Sequence, residues 1–443
     1  MWATSEEIEE SSLYIKKGNN TEDSFFSNSA LISGTTIKSD TSNIHKVHIT
    51  NLDKNTTYSY KVGSESGWKY GIFRTETPNP TSYTGIQISD SQSNKENLFY
   101  LWENTFAQAM ETAGRSIDSI LFGGDQYNVG KFDNDENLSS LIYIEAINKY
   151  LGSTPYMAIG GNHDYDKNYF NVNCINFSND QKDGSYYSYN YGKIHFVHLE
   201  TGAMADLKIK EGSEQVKWLE NDLRNANQVG CEWIIVSMHN GLFSTGDHSD
   251  DSQTYTIVDQ LAPLFSKYHV DLVLQAHDHT FCKTLPYKWD SDPSIGYIES
   301  EIDAKINYDI NKTIVDGISY DRNPNGTYYV TTGAAGHRYG SEEADGIYAE
   351  VDDATGNGLN TAKSFTNNRY KTVVGRITKT NSYVPYSTSD QQYNIGDYAT
   401  GNVNANMFGI LNIKDNTLRY DFYTVVGNEV KLFDSLNIMK TSN

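Results

Sequence analysis

Side chains that can bind metal ions follow five short apolar runs of this 443-residue chain. In an open α/β sheet, ligands bind beyond the carboxyl ends of the strands, so residues that follow strands are the first candidates for a site. Carboxylates and imidazoles together are typical ligands of Fe, Mn or Zn. In chain order the candidates are Asp90, Asp125, the Asn162-His163-Asp164 run, His239 and the His277-Asp278-His279 run.

Each candidate alone is weak evidence for a metal site. An Asp after a strand is often a turn residue or a helix cap, and a lone His is more often structural. The His277-x-His279 pair is more specific, because alternate residues of an extended segment point to the same side. All five together, with glycine pairs that permit tight turns before Asp125 and Asn162, predict a centre with enough ligands for two ions. Two ions that share a carboxylate can activate the attacking and the leaving oxygen of an in-line displacement.

The elements that must position these residues are alternating strands and helices. After a linker that contains Pro78 and Pro80, apolar runs alternate with helical patterns, as in a layered α/β domain. Helices are predicted near 95–113, 137–151, 213–226 and 255–268. The chain returns to strands at 328–330, 408–411 and 418–422.

The segment 1–78 has a different pattern, which indicates strands only. Residues 47–50, 58–62 and 72–75 alternate between apolar and polar side chains, as in an antiparallel sandwich. We therefore predict an all-β domain at 1–78 and a catalytic domain at 82–440. Polar insertions near 288–325 and 341–405 are either solvated surface loops or functional lids.

Composition limits the classes of partner. The formal net charge of −22 disfavours binding to duplex nucleic acid or to anionic membranes. No run approaches the eighteen apolar residues of a transmembrane helix. Three cysteines are too few for a disulfide scaffold. An anionic substrate would need a local positive centre, which bound metal ions supply.

The candidate residues, taken with their neighbours, resemble the signature of the calcineurin-like metallophosphoesterases: Asp90, Gly124-Asp125, Gly161-Asn162-His163-Asp164, His239 and His277-x-His279. Further segments are similar to the branch that includes the purple acid phosphatases: 187–192, 194–197, 215–219, 239–245 and 331–336. Ahead of them, Leu52-x4-Thr57-Tyr58 and Trp68-x4-Phe73 resemble the fibronectin-type-III-like domain that precedes such enzymes. The resemblance implies two mixed β-sheets flanked by helices, preceded by a small, truncated all-β sandwich.

The resemblance also implies roles for individual residues. The first metal would be bound by Asp90, Asp125 and His279, and the second by Asp125 as a bridge together with Asn162, His239 and His277. A hydroxide held by the metals would attack phosphorus, and His163 would donate a proton to the leaving oxygen while Asp164 holds its ring. The implied cofactor is a pair of divalent or mixed-valence ions, Mn, Fe or Zn.

Two positions depart from the family pattern. Related sites place a His or a Tyr on the first metal, whereas the residue two after Asp90 is Gln92, and three after Asp125 stands Asn128, with Tyr127 one place early. Gln92 is either a weak ligand or a hydrogen-bond donor to the ligands. The phenolate that gives purple phosphatases their colour is therefore not expected, and divalent Mn, Fe or Zn is favoured.

Other polar residues have a functional and a structural interpretation. His248 either points into the substrate cleft or faces solvent, and His337 and Arg338 follow a glycine loop from which they could contact phosphate. His198 follows a strand alternation, which indicates packing rather than catalysis. His45, His48 and His269 are interpreted as structural.

The sequence thus predicts a phosphatase of phosphate monoesters. The alternatives are a phosphodiesterase or nucleotidase of the same fold, or an inactive surface or adhesive protein. The resemblance implies an extracellular or cell-surface location, although the chain as given has no signal peptide. About six strand candidates in the first domain, where about seven are expected, suggest that the natural gene extends upstream of Met1.

Overall fold

The computed structural model describes most of the chain outside the long polar stretches. The described residues are 1–38, 43–92, 99–114, 117–126, 147–164, 186–202, 209–243, 252–279, 281–284, 286–289, 311–336 and 405–441. Of the two predicted insertions, 341–405 therefore lies outside the described residues except for its last residue. Among the helices within these ranges, none has the length and apolar composition to cross a membrane.

The chain from Met1 to Arg74 forms two antiparallel sheets and a short 3₁₀ turn at Asp23–Phe26, as the all-β prediction requires. One sheet has the order β1-β5-β4 and the other β3-β2-β6-β7. The bounds are β1 Trp2–Thr4, β2 Ser12–Lys17, β3 Leu31–Ser33, β4 Thr35–Lys38, β5 Asn43–Lys46, β6 Thr57–Ser64 and β7 Gly67–Arg74. The described residues thus contain seven strands here, one more than the sequence pattern indicated.

The prediction of a strand at 47–50 was wrong in its position. The chain pairs instead just before it, at β5, where Asn43, Ile44 and His45 are buried. His45 stacks on Trp2 at 5.0 Å between ring centroids, and its Nδ1 lies 2.9 Å from Ser11 Oγ. These partners come from distant parts of the chain, so the local alternation could not select the register.

An eight-stranded mixed sheet begins the second part of the chain. Its order is β10-β9-β8-β19-β20-β21-β17-β16, in which β8, β9 and β10 are parallel neighbours. The strands are β8 Ser82–Ile88, β9 Ser119–Phe122, β10 Tyr156–Ala158, β16 Lys312–Val315, β17 Ile318–Arg322, β19 Ala405–Lys414, β20 Thr417–Val426 and β21 Glu429–Met439.

A six-stranded mixed sheet packs against the first. Its order is β11-β12-β13-β14-β18-β15, with β12, β13, β14 and β18 parallel. The strands are β11 Tyr187–Tyr191, β12 Ile194–Leu199, β13 Trp233–Asn240, β14 Leu272–Ala276, β15 Phe281–Lys283 and β18 Tyr328–Thr332. Strand β13 is buried along its whole length, because Trp233 and Ile235 face the other sheet while Ile234 and Val236 face helices.

Helices cover the outer faces of both sheets. Helix α1 (Phe99–Ala113) packs Trp102, Phe106 and Ala109 on the eight-stranded sheet. Helices α2 (Glu214–Gln228) and α3 (Ser252–Lys267) pack on the six-stranded sheet. Residues 147–151 are also helical, at the end of the range predicted for a helix near 137–151. The four layers confirm the predicted sandwich of two mixed sheets flanked by helices.

The polar stretch near 288–325 is not all irregular. Its last part forms the β16–β17 hairpin, which extends the edge of the eight-stranded sheet through pairing with β21. Asp316 and Gly317 make the turn with φ of 51° and 80°, and two positive φ angles are typical of the tight hairpin turn that Asp-Gly favours. The prediction of a surface loop or a lid was therefore wrong for residues 312–322, which form a hairpin.

Candidate metal centre

The predicted ligands lie at one edge of the two sheets. Asp90 follows β8, Asp125 follows β9 and Asn162 follows β10, all beyond the carboxyl ends of parallel strands. His239 lies near the end of β13, and His277 directly follows β14. The layered packing of the sheets brings these strand ends together, as the topology predicts.

The backbone turns sharply at four of the candidates. Asp90, Asp125, His277 and His279 have φ of 53°, 53°, 75° and 52°. Such left-handed conformations at residues other than Gly cost about 1–3 kcal/mol each and cluster at functional sites. The turns are held by hydrogen bonds between strand ends: Asp90 N donates to Gly124 O at 3.0 Å, and His277 N donates to Asp90 Oδ1 at 3.1 Å.

The glycines before Asp125 and Asn162 make room for these ligands. A Cβ at Gly161 would lie 2.0 Å from Asp125 Oδ1. A Cβ at Gly124, whose φ is 95°, would lie 2.6 Å from His239 Nδ1. Any side chain at either position would displace a candidate ligand, so the glycine pairs have a steric role in the centre.

Among the described residues, two groups of potential ligands share one carboxylate. One group is Asp125, His239 and His277, and the other is Asp90, Asp125 and His279. Within each group, the ligand atoms lie within 4.8 Å of one another, and every member is buried. An arrangement of this kind can hold two ions with Asp125 between them.

His239 is oriented for binding through one ring nitrogen. Its Nδ1 lies 2.8 Å from the carbonyl oxygen of Gly123 and donates a hydrogen bond to it. Its Nε2 therefore faces Asn162 Oδ1 at 3.0 Å and Asp125 Oδ1 at 3.3 Å. A backbone carbonyl that fixes the tautomer of a ligating His is a common feature of metal sites.

The charges of the centre call for a cation. Burial and, to a smaller extent, the charge of Asp125 raise the pKa of Asp90 to about 7, although the neighbouring His239 lowers it. Although burial lowers the pKa of His239, the neighbouring Asp125 carboxylate raises it to about 10. Two adjacent buried carboxylates are costly unless positive charge compensates them. Carboxylate, imidazole and amide donors fit divalent Mn, Fe or Zn.

Gln92 lies inside this cluster. Its Nε2 is 3.0 Å from Asp125 Oδ2 and 3.2 Å from His279 Nε2. Its Oε1 is buried and accepts no hydrogen bond within the described residues. The structure thus places Gln92 in contact with two candidate ligands, and to one of them, Asp125, it donates a hydrogen bond.

His163 and Asp164 stand beside the ligands. His163 is half-buried, and its backbone N donates to Asp125 Oδ1 at 2.8 Å. The buried Asp164 carboxylate accepts hydrogen bonds from the backbone N of Gln126 and of Gly161, both at 2.8 Å. These bonds tie the turn after β9 to the turn after β10. The expectation that Asp164 orients the His163 ring stays a prediction.

The structure also shows hydrogen bonds that hold the turn at Asp90 and that sequence reasoning missed. Ser91 Oγ donates to Gln126 O at 2.8 Å, and Gly336 N donates to Asp90 O at 3.1 Å. A loop after β18 therefore packs on the Asp90 turn, and no side-chain pattern in the sequence signals this contact.

The remaining predicted site residues lie outside the described residues: Tyr127, Asn128, His248, His337 and Arg338.

Comparisons with known proteins give the same assignment for both parts of the chain. Residues 86–281 match the calcineurin-like phosphoesterase family, and residues 1–83 match the purple acid phosphatase N-terminal domain. Acid phosphatase type 7 of Mus musculus is 27% identical over 260 residues, which are 55% of this chain and 57% of that protein. The Fe(3+)-Zn(2+) purple acid phosphatase 12 of Arabidopsis thaliana is 23% identical over 319 residues, 67% of this chain and 60% of the relative.

A solved structure supports the fold. Purple acid phosphatase PPD1 from seeds of yellow lupin (Lupinus luteus) superposes with a TM-score of 0.60 at 16% identity, covering 98% of this chain and 70% of that one. The matches to the Mus musculus and Arabidopsis thaliana phosphatases span less than two thirds of the length of each of those two proteins.

Proposed function

Because this chain joins a purple acid phosphatase N-terminal domain to a calcineurin-like phosphoesterase domain, we propose that it is a metal-dependent phosphoric ester hydrolase. More specifically, we propose a phosphatase that hydrolyses phosphate monoesters. The observation that supports this proposal most is the shared carboxylate: Asp125 belongs to both buried groups of potential metal ligands.

The proposed ligand sets follow the two groups. Asp90, Asp125 and His279 would hold one ion. Asp125, His239 and His277 would hold the other, and Asn162 would join them because its Oδ1 lies 3.0 Å from His239 Nε2. We propose two divalent or mixed-valence ions from Mn, Fe and Zn.

The chain's own residues would complete the chemistry. Bound divalent ions make a water acidic enough to react near neutral pH and neutralise charge on a phosphoryl group. His163 is held at the centre by its backbone bond to Asp125, and we assign it the proton that the leaving alkoxide needs. Asp164 would keep the His163 loop against the Asp125 turn through its two backbone bonds.

Substrate charge is consistent with this assignment. The chain has a net charge of −22, so a phosphate ester would be repelled by the surface at large. Within the centre, two ions would supply the positive charge. The proposal therefore includes a strong dependence of substrate binding on bound metal.

The location is a further part of the proposal. We place the protein outside the cell or at its surface on the basis of the likeness to purple acid phosphatases, and fractionation of the source cells tests it. Activity recovered in the cytosolic fraction alone would contradict this location.

Hydrolysis of two chromogenic substrates tests the proposed reaction. The metal-free protein is incubated with a phosphate monoester or a phosphate diester, with and without added Mn, Fe or Zn. We expect hydrolysis of the monoester that requires added metal and exceeds that of the diester. Faster hydrolysis of the diester would indicate a phosphodiesterase, and absence of hydrolysis with every metal would indicate a protein without catalytic function.

A further inference from the structure

The amide of Gln92 occupies a position in the centre that the ligand sets above do not use. The side chain is 1% exposed. Its Nε2 lies 3.0 Å from Asp125 Oδ2 and 3.2 Å from His279 Nε2, and both of those atoms belong to proposed ligands of one ion. The end of Gln92 therefore faces the point at which that ion would be bound.

The orientation of the amide depends on what occupies this point. A half-turn about the last side-chain bond exchanges the amide nitrogen and oxygen with almost no change in shape, so the hydrogen-bond network decides between them. Without a cation, an N–H group that faces a carboxylate and an imidazole is favoured. Beside a cation, the same N–H group would meet positive charge, whereas the carbonyl oxygen would be attracted.

The amide oxygen is not held in its present position by any hydrogen bond among the described residues. Oε1 is buried and has no hydrogen-bond partner among the described residues, so it loses no bond when it turns inward. The backbone is already fixed, because Ser91 N and Gln92 N both donate to Asp125 O, at 3.0 and 3.2 Å. Only the outer torsion of the side chain has to change.

We propose that Gln92 Oε1 is a ligand of the ion bound by Asp90, Asp125 and His279. This inference rests on the proposed function, since it assumes a metal at that point. A neutral carbonyl oxygen suits oxygen-preferring ions such as Mn(II), and it adds no charge to a site that already has two carboxylates.

Two substitutions test whether Gln92 binds the metal or only a ligand. Gln92→Leu removes the donor atom at similar volume, and we expect one of the two ions to bind about 10- to 100-fold more weakly. Gln92→His replaces oxygen with imidazole, which suits Zn better than Mn, so we expect the ratio of Zn to Mn affinity to rise about 10-fold or more. A residue that only donates to Asp125 would change both affinities by the same factor.

The affinities are measured by calorimetric titration of the metal-free full chain with Mn(II) and, separately, with Zn(II). Gln87→Leu is the matched control. Gln87 is also 1% exposed, but its Oε1 accepts hydrogen bonds from the hydroxyls of Thr332 and Tyr420 in the core. That variant should unfold more easily while it keeps both ions with wild-type affinity.

The outcomes separate this inference from the proposed function. Gln92→Leu with two ions at wild-type affinity, or Gln92→His with an unchanged ratio of Zn to Mn affinity, overturns the ligand role while the metal centre stands. If Gln92→Leu does not fold, the affinity ratio of Gln92→His decides. A wild-type protein that fails to bind two ions overturns the proposed function and the ligand role together.

Discussion

His198 should make the folded protein sensitive to acid. Its ring is 1% exposed and stacks on Tyr187 and Tyr189, with centroids 4.6 and 5.6 Å away. Neither ring nitrogen has a hydrogen-bond partner among the described residues. Burial lowers the pKa of His198 from 6.5 to about 3, so the folded protein keeps this ring neutral in mild acid.

The size and sign of the effect follow from this pKa difference. In the unfolded chain His198 takes up a proton near pH 6.5, whereas in the folded protein it does so only near pH 3. Stability is therefore lost as the pH falls from 6.5 towards 3, by about 1.4 kcal/mol for each pH unit. Between about pH 7.5 and about pH 5, His198 should account for a loss of about 2 kcal/mol in the free energy of unfolding.

His198→Phe tests this prediction, because it keeps a stacked ring that cannot be protonated. Urea unfolding of the metal-free wild type and variant is compared at about pH 7.5 and about pH 5, with chelator present so that metal release does not contribute. We expect the decrease in unfolding free energy to be smaller in the variant by about 2 kcal/mol. His269→Gln, which changes an exposed histidine, should show the same decrease in unfolding free energy between the two pH values as the wild type. An equal decrease in wild type and His198→Phe would refute the reasoning.

Three further predictions concern the centre itself. His163→Ala should lower turnover of a monoester with a poor leaving group by about 10²- to 10⁴-fold, while metal analysis finds normal metal content; wild-type turnover would contradict its role as acid. Asp125→Ala should reduce the binding of both ions, because one carboxylate serves two, and two ions per chain in that variant would show that it does not bridge. The protein as isolated should lack strong visible absorption, since Asn128 stands where the family has its phenolate, and a purple colour that disappears in Tyr127→Phe would show the opposite.

The places of the candidate ligands at the strand ends could be predicted because local sequence determines them. Each candidate ligand stands at or just beyond the end of a buried apolar strand, and the parallel order of β8, β9 and β10 is what alternating strands and helices predict. Asp90 and Asp125 therefore meet for a reason that the sequence contains. The interpretation of His198 as a packed residue is also confirmed, because strand β12 is buried along its whole length.

Other parts of the fold depend on pairings between distant segments. Strand β19 pairs with β8 although the two stand near opposite ends of the segment 82–440 in sequence. Strand β21, which no sequence pattern indicates, completes the tail of the eight-stranded sheet. The Asp316-Gly317 turn is different, because the sequence itself contains its hairpin signal, an Asp-Gly pair. The backbone partners of Asp164 could not be predicted, since a side chain's partner depends on the packing of several turns.

The central claim is that two metal ions share Asp125 at the edge of the sheets. Its most direct test is a crystal structure of the Mn(II)-loaded protein with data collected at the Mn absorption edge. We predict two anomalous peaks about 3.5–4 Å apart, one beside Asp90 and His279 and the other beside His239 and His277, with Asp125 contacting both. One peak, or two peaks that do not share Asp125, would contradict the account.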